Sequence, residues 1–280
     1  MYYTLGFKQN IDNCIKLIST KETNKFTSLL ELKVALARYI DLVQPQNKIV
    51  FPIDDLPVLI SSIDQKTILA NAFSIRSQLN DLAQASMIED LHFADEEKHQ
   101  QRLYSAIRLI ESQNIELATL IKIVFRYIIF GKSTKAHGGS SSNALGVLWL
   151  NPTEKWTQQD YCEFLVHEVT HQLLFIDERI YGHYSQYPKL SLKENFAFST
   201  ILKRSRPLDK VIHSYFVGLN VLNYRKNNGS DENNSYTLHP PIDQLLKGLE
   251  DTRNSLTSIH WSLMTSRVNE LFGDDYARAI

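Results

Sequence analysis

Residues 167–171 read HEVTH, two histidines four apart with a glutamate beside the first. On an α-helix, positions i and i+4 share a face, so His167 and His171 can present two imidazoles to one ion. Glu168 projects about a third of a turn away, within reach of a metal-bound water. A metal site that keeps open positions for chemistry needs a third protein ligand. Two downstream residues qualify. Glu194 in KENFAF would make a set of two imidazoles and a carboxylate, and His213 in RPLDKVIHSYF would make a set of three imidazoles. The longer HExxHxxGxxH pattern is not followed, because Leu174 and Asp177 stand where its glycine and last histidine would fall. His92, His99, His183, His239 and His260 have no such companions, and each reads as structural or solvated.

The elements that must position these residues are legible in part. Apolar residues recur at helical spacing in 27–43 and 67–87, and 95–113 is charged early and amphipathic later. The acidic start of that third segment suits a helix N-terminus. The β-branched and aromatic run at 121–129 predicts a strand, GKSTKAHGGSSSN at 131–143 a loop, and LGVLWL at 145–150 a second strand paired with the first. Thr157 with Asp160 three residues later predicts a capped helix that carries the motif to about Leu174. Pro207 precedes an amphipathic helix over 208–225, residues 226–241 read as a loop, and 242–272 as one or two helices. The expected fold is α+β and mainly helical: a helical N-terminal region (1–118), a short antiparallel sheet, the HExxH helix and C-terminal helices (119–280), built as one compact unit.

Composition narrows the function classes. The 280 residues include 30 Lys+Arg against 31 Asp+Glu, and 43% are hydrophobic. A disordered chain has fewer apolar residues, and a near-neutral balance removes the case for nucleic-acid binding through bulk charge. No apolar run reaches the 18 or so residues of a membrane span. The opening MYYTLGFKQN lacks the basic and apolar regions of a secretory signal. Two distant cysteines, Cys14 and Cys162, make neither a disulfide framework nor a thiolate zinc site. A cytoplasmic location is expected, with no nucleic-acid and no membrane partner.

Three segments, HGGSSSNALGVLWLNP (137–152), FLVHEVTHQLLFIDERIYGHY (164–184) and STILKRSRPLDKVIHSYFVGLNVL (199–222), resemble the HExxH-type 2-oxoglutarate-dependent peptide β-hydroxylases, which modify ribosomally made peptides. The resemblance covers roughly residues 120–225. Its most specific pieces are HExxH, the Arg206-Pro207-Leu208 triplet and His213 five residues after it. It implies an Fe(II) centre held by His167, His171 and His213, with 2-oxoglutarate and O₂ at open positions and a precursor peptide as partner. KENFAF before the Arg-Pro-Leu segment departs from commoner members, and it keeps Glu194 in play as third ligand.

Such an enzyme must hold the distal carboxylate of 2-oxoglutarate, which a guanidinium does bidentately. Arg206 precedes the His213 helix and is the candidate, with Arg204 and Lys203 as neighbours. Ser140 and Ser142 of the Gly138–Ser142 loop are expected to line the cofactor cleft, with His137 beside them. Two alternatives stand next to this reading. One is a zinc metallopeptidase in which Glu168 is the general base and the strand before the helix binds an extended peptide. The other is a non-catalytic peptide-binding module with a structural metal.

Overall fold

The computed structural model describes residues 5–19, 26–50, 52–73, 87–199, 203–228 and 238–279. Among these are ten α-helices: α1 (Gly6–Ile18), α2 (Leu29–Val43), α3 (Ile63–Ala70), α4 (Glu96–Gln113), α5 (Ile115–Val124), α6 (Gln158–Tyr181), α7 (Leu208–Asn227), α8 (Ile242–Ser255), α9 (Ser258–Leu263) and α10 (Ser266–Ala279). The strands are β1 (Val58–Leu59), β2 (Tyr127–Phe130), β3 (Gly138–Ser141), β4 (Ala144–Leu150), β5 (Ala197–Ser199) and β6 (Arg204–Arg206). The protein is a mainly helical α+β fold. No helix among the described residues is long and apolar enough to cross a membrane. Both cysteines are free and buried.

The sheet differs from the expected antiparallel pair. Its order is β1-β2-β4-β3, with β1/β2 and β2/β4 parallel and only β3/β4 antiparallel. The expected strand at 121–129 is helical as far as Val124, and the strand itself is β2. Leu117, Ala118, Leu120, Ile121 and Val124 are all buried, and a segment buried on every side shows no periodicity that tells helix from strand. Asn114 decides the matter locally, because its side chain caps the backbone N–H of Leu117 at 3.0 Å. The expected loop at 131–143 contains β3. Gly138 is required there: its φ is +145°, and a Cβ would lie 2.5 Å from both the Phe164 ring and the Trp149 carbonyl. Thus β3 can lie close against both β4 and α6. Of the helix expected at 67–87, residues 74–86 lie outside the described residues; residues 67–73 finish α3 and a 3-10 turn.

α6 is the central element. Thr157 and Asp160 form the expected capping box, with Thr157 N–H donating to Asp160 at 2.7 Å and Asp160 N–H to Thr157 at 3.2 Å. The helix runs to Tyr181, past the expected end near Leu174, because Phe175, Ile176 and Asp177 are buried too. It packs against α1, α4, α5 and α7. One core cluster includes Cys14 of α1, Leu36 of α2, Leu165 of α6 and Phe272 of α10, and so spans both expected regions; the boundary at 118/119 falls inside α5. Asp177, with no exposed side-chain surface, ties three helices together. It accepts from Asn13 of α1 (2.8 Å) and from Arg267 of α10 (2.6 and 3.0 Å), and pairs with His183 (2.8 Å).

Lys33 on α2 shows how burial opposes charge. The residue is 3% exposed, and the ammonium donates to the Asp55 carbonyl at 2.9 Å. Burial pushes its pKa from 10.5 down to about 8, with Asp55 and Asp54 opposing the shift. The unfolded chain therefore binds the extra proton between those two values, and the folded state is penalised fully below pH 8 and not at all above 10.5. Lys33→Met should be about 1–2 kcal/mol more stable than wild type at pH 7 after allowing for the lost hydrogen bond. In urea titrations that advantage should shrink as pH rises from 8 to 10.5; a variant equally stable or weaker at pH 7 contradicts the argument.

Candidate metal centre

The i, i+4 geometry of α6 brings His167 and His171 together, with their Nε2 atoms 3.2 Å apart. α7 packs alongside and delivers His213 from its second turn, Nδ1 to Nδ1 with His171 at 3.0 Å. The His171 and His213 rings stack, centroids 5.3 Å apart and planes 16° from parallel, and Phe175 closes against His213 at 4.9 Å. His213 is buried, whereas His167 keeps 32% of its side-chain surface exposed and is an open edge of the cluster.

All three imidazoles are held well below the usual histidine range. Burial is the main cause for each. The neighbouring His239 for His167, and the Lys210 ammonium for His213, lower them further. For His171 the further contributions come from the neighbouring His167 and His213 rings and from the cations Lys210 and Arg206. Neutral imidazoles carry lone pairs, which is the form that binds metal. Arg206, half-buried at the end of β6, and Lys210, in the first turn of α7, bring positive charge to this corner.

Glu168 is 3% exposed, and its Oε1 lies 3.7 Å from His167 Nε2. Burial raises its pKa to about 8, and Ser140 on β3 pulls it down by less. Glu168 Oε2 makes no well-formed hydrogen bond among the described residues, although Ser140 lies near enough to lower its pKa. A buried carboxylate oxygen without a partner is expensive, so it marks a place where a group outside the chain belongs.

The donor set fits a divalent transition ion. Three neutral imidazoles, with nitrogen pairs 3.0–3.2 Å apart, match the spacing of two donors on one ion bonded at about 2.1 Å. The rings do not yet converge: His171 meets His167 through Nε2 but His213 through Nδ1, and among the described residues no three ligand-type side chains are arranged around one point. A three-imidazole site therefore requires the His171 or His213 ring to turn. No protein-family model matches this chain, and no curated protein matches it. The site's chemistry is argued from its own residues.

Other expected site residues lie elsewhere. Glu194 is exposed on a 3-10 turn and takes no part in the imidazole contacts; KENFAF runs from that turn into β5 and forms no α-helix. His213 is the residue brought to the motif. Ser140 stands by Glu168, while Ser142 lies in the turn after β3, its carbonyl accepting from Gln44 (2.7 Å) and Arg179 (2.9 Å). His137 is exposed and faces Trp156 at 6.0 Å. Lys203 is exposed, and Arg204 begins β6 paired with Ser199.

Three contributors were missed by sequence reasoning. His239 Nε2 lies 2.8 Å from His167 Nδ1, and its Nδ1 lies 3.2 Å from Glu163. Glu163 forms a fully buried, two-pronged ion pair with Arg225 of α7, at 2.8 and 2.7 Å. Glu163 precedes His167 by one helical turn, which was a usable signal. His239 follows a polar stretch and shows none.

Proposed function

We propose that the chain is an Fe(II)/2-oxoglutarate-dependent oxygenase that hydroxylates a side-chain β-carbon of a ribosomally made peptide in the cytoplasm. The observation that carries this reading is the positive charge of Arg206 beside His171, with Lys210 nearby and paired to Asp209 at 2.8 Å. Cations beside a metal site oppose metal binding unless an anion joins them. A dianionic cosubstrate reverses that penalty.

His167, His171 and His213 would hold the iron, and Arg206 would take the distal carboxylate in a two-pronged contact. Bound iron with 2-oxoglutarate and O₂ supplies the oxidant for C–H hydroxylation, and that chemistry belongs to the cofactor. The protein holds the anion, buries Glu168 beside the open edge at His167, and borders the centre with β3, the last strand of the sheet. An extended peptide can pair with such an edge.

A second reading, a zinc metallopeptidase, is favoured by one feature: Glu168 lies 3.7 Å from a ligand nitrogen, where a general base is needed. One experiment separates the two. Protein loaded anaerobically with Fe(II) and given 2-oxoglutarate, O₂ and candidate peptides should form succinate and a product heavier by one oxygen atom. Arg206→Gln should lower that yield at least tenfold at limiting 2-oxoglutarate, from loss of a charged two-pronged contact worth about 1.5–3 kcal/mol. Peptide cleavage by the zinc form, lost in Glu168→Gln and indifferent to O₂, would instead establish the peptidase.

A further inference from the structure

Four imidazoles and an ion pair form one unbroken chain across the centre: Arg225, Glu163, His239, His167, His171, His213. The first half of that chain has a direction. Glu163, gripped by Arg225 with no exposed surface on either side chain, is ionised and offers only lone pairs. His239 Nδ1 must therefore donate to it. In a neutral imidazole the other nitrogen is then an acceptor, so His239 Nε2 accepts from Nδ1–H of His167. His167 Nε2 is left with its lone pair, and that atom faces His171 Nε2 at 3.2 Å. Arg225 also fixes where His239 sits, because its guanidinium donates to the carbonyls of Pro240 (2.5 Å) and His239 (3.5 Å).

We propose that His239 is the positioning residue of the metal centre: through the Glu163–Arg225 pair it locks His167 in the Nδ1–H tautomer, so that Nε2 alone is offered to the ion. This rests on the reading of the cluster as a metal site. A ligand histidine whose remote N–H is held is both oriented and made a better donor, and loss of such a partner weakens metal binding typically 10–100-fold. Phenylalanine at 239 keeps the ring and removes both nitrogens. Glutamine restores an acceptor oxygen.

The test has a metal-free and a metal-bound arm. In metal-free, ¹⁵N-labelled wild type, long-range proton–nitrogen spectra should show His167 as the Nδ1–H tautomer, and in His239→Phe that preference should vanish. His167 protonated on Nε2 in the wild type overturns the proposal whatever happens with metal. In the second arm, Co(II) affinity is measured against a chromophoric chelator. His239→Phe should bind one ion per chain 10–100-fold more weakly than wild type, His239→Gln should recover part of the loss, and His171→Ala should bind none. Wild-type affinity in His239→Phe, with binding lost in His171→Ala, overturns the role of His239 and leaves the metal site standing. Complete loss in His239→Phe makes His239 a ligand, which also overturns the proposal. No Co(II) binding by wild type removes the metal site and the role of His239 with it.

Discussion

His171→Ala should lose metal uptake and any metal-dependent activity while keeping its fold. His171 is the middle of the cluster, 3.2 Å from His167 on one side and 3.0 Å from His213 on the other, and among the described residues no direct contact joins those outer two rings. Removing it takes away the ring that contacts both of the others. Structural metal sites of four ligands bind with roughly 10–16 kcal/mol, so one ligand is worth about 3–4 kcal/mol, or 10²–10³-fold in affinity. Metal content after dialysis should fall from one ion per chain to none. The metal-free melting temperature should hardly move, because alanine is the best helix former and His171 is only half-buried. A variant that keeps one ion at wild-type affinity excludes His171 as a ligand.

The largest stability effect is expected at Asp177. Alanine there leaves Arg267 and Asn13 without their acceptor in a site with no water-exposed carboxylate surface. Breaking one side of a buried ion pair costs about 3–5 kcal/mol, which lowers the melting temperature by roughly 5–9 °C for a chain of this size. Burial pushes the Asp177 carboxyl up, but hydrogen bonds from His183 and Arg267 outweigh it and hold its pKa below the usual 3.8. A carboxylate with a depressed pKa stabilises the fold above its unfolded pKa and loses that contribution as pH falls through the folded value. Wild type should therefore lose stability steeply from about pH 4 downward, and Asp177→Asn should lose less over the same interval. Equal acid limbs in the two proteins remove Asp177 from the account. Asp177→Leu combined with Arg267→Met should recover part of the loss, because an apolar pair leaves no charge uncompensated.

Both predictions concern α6, and the sequence exposed its two ends unequally. The N-terminus was readable because capping is local: Thr157 and Asp160 are three residues apart and satisfy each other's backbone N–H groups. The C-terminus was not, because Asp177 belongs inside a helix only when Asn13, His183 and Arg267 arrive from other elements to neutralise it. A charged residue next to a run of apolar ones reads as a helix end until those partners are known. The strand expected at 121–129 failed for a similar reason. Ile121, Ile123 and Val124 are buried whichever way the chain turns, so the pattern that distinguishes helix from strand is erased where the core is thickest.

What the sequence determined by itself was the local chemistry. Spacing of four on a capped helix puts His167 and His171 on one face, and no long-range contact is needed for that. The mainly helical α+β character followed from periodicity in the same way. The tertiary structure alone decided which distant residues join them: α7 brings His213 rather than Glu194, Arg225 and Glu163 meet across α6 and α7, and His239 is set against His167 from 72 residues away. It also decided the sheet, where β3 rather than a loop lies against α6 because Gly138 lets the two approach. The division has one physical cause. Helical spacing and caps act over four residues, whereas third ligands, ion pairs and parallel strands depend on which surfaces the whole core brings together.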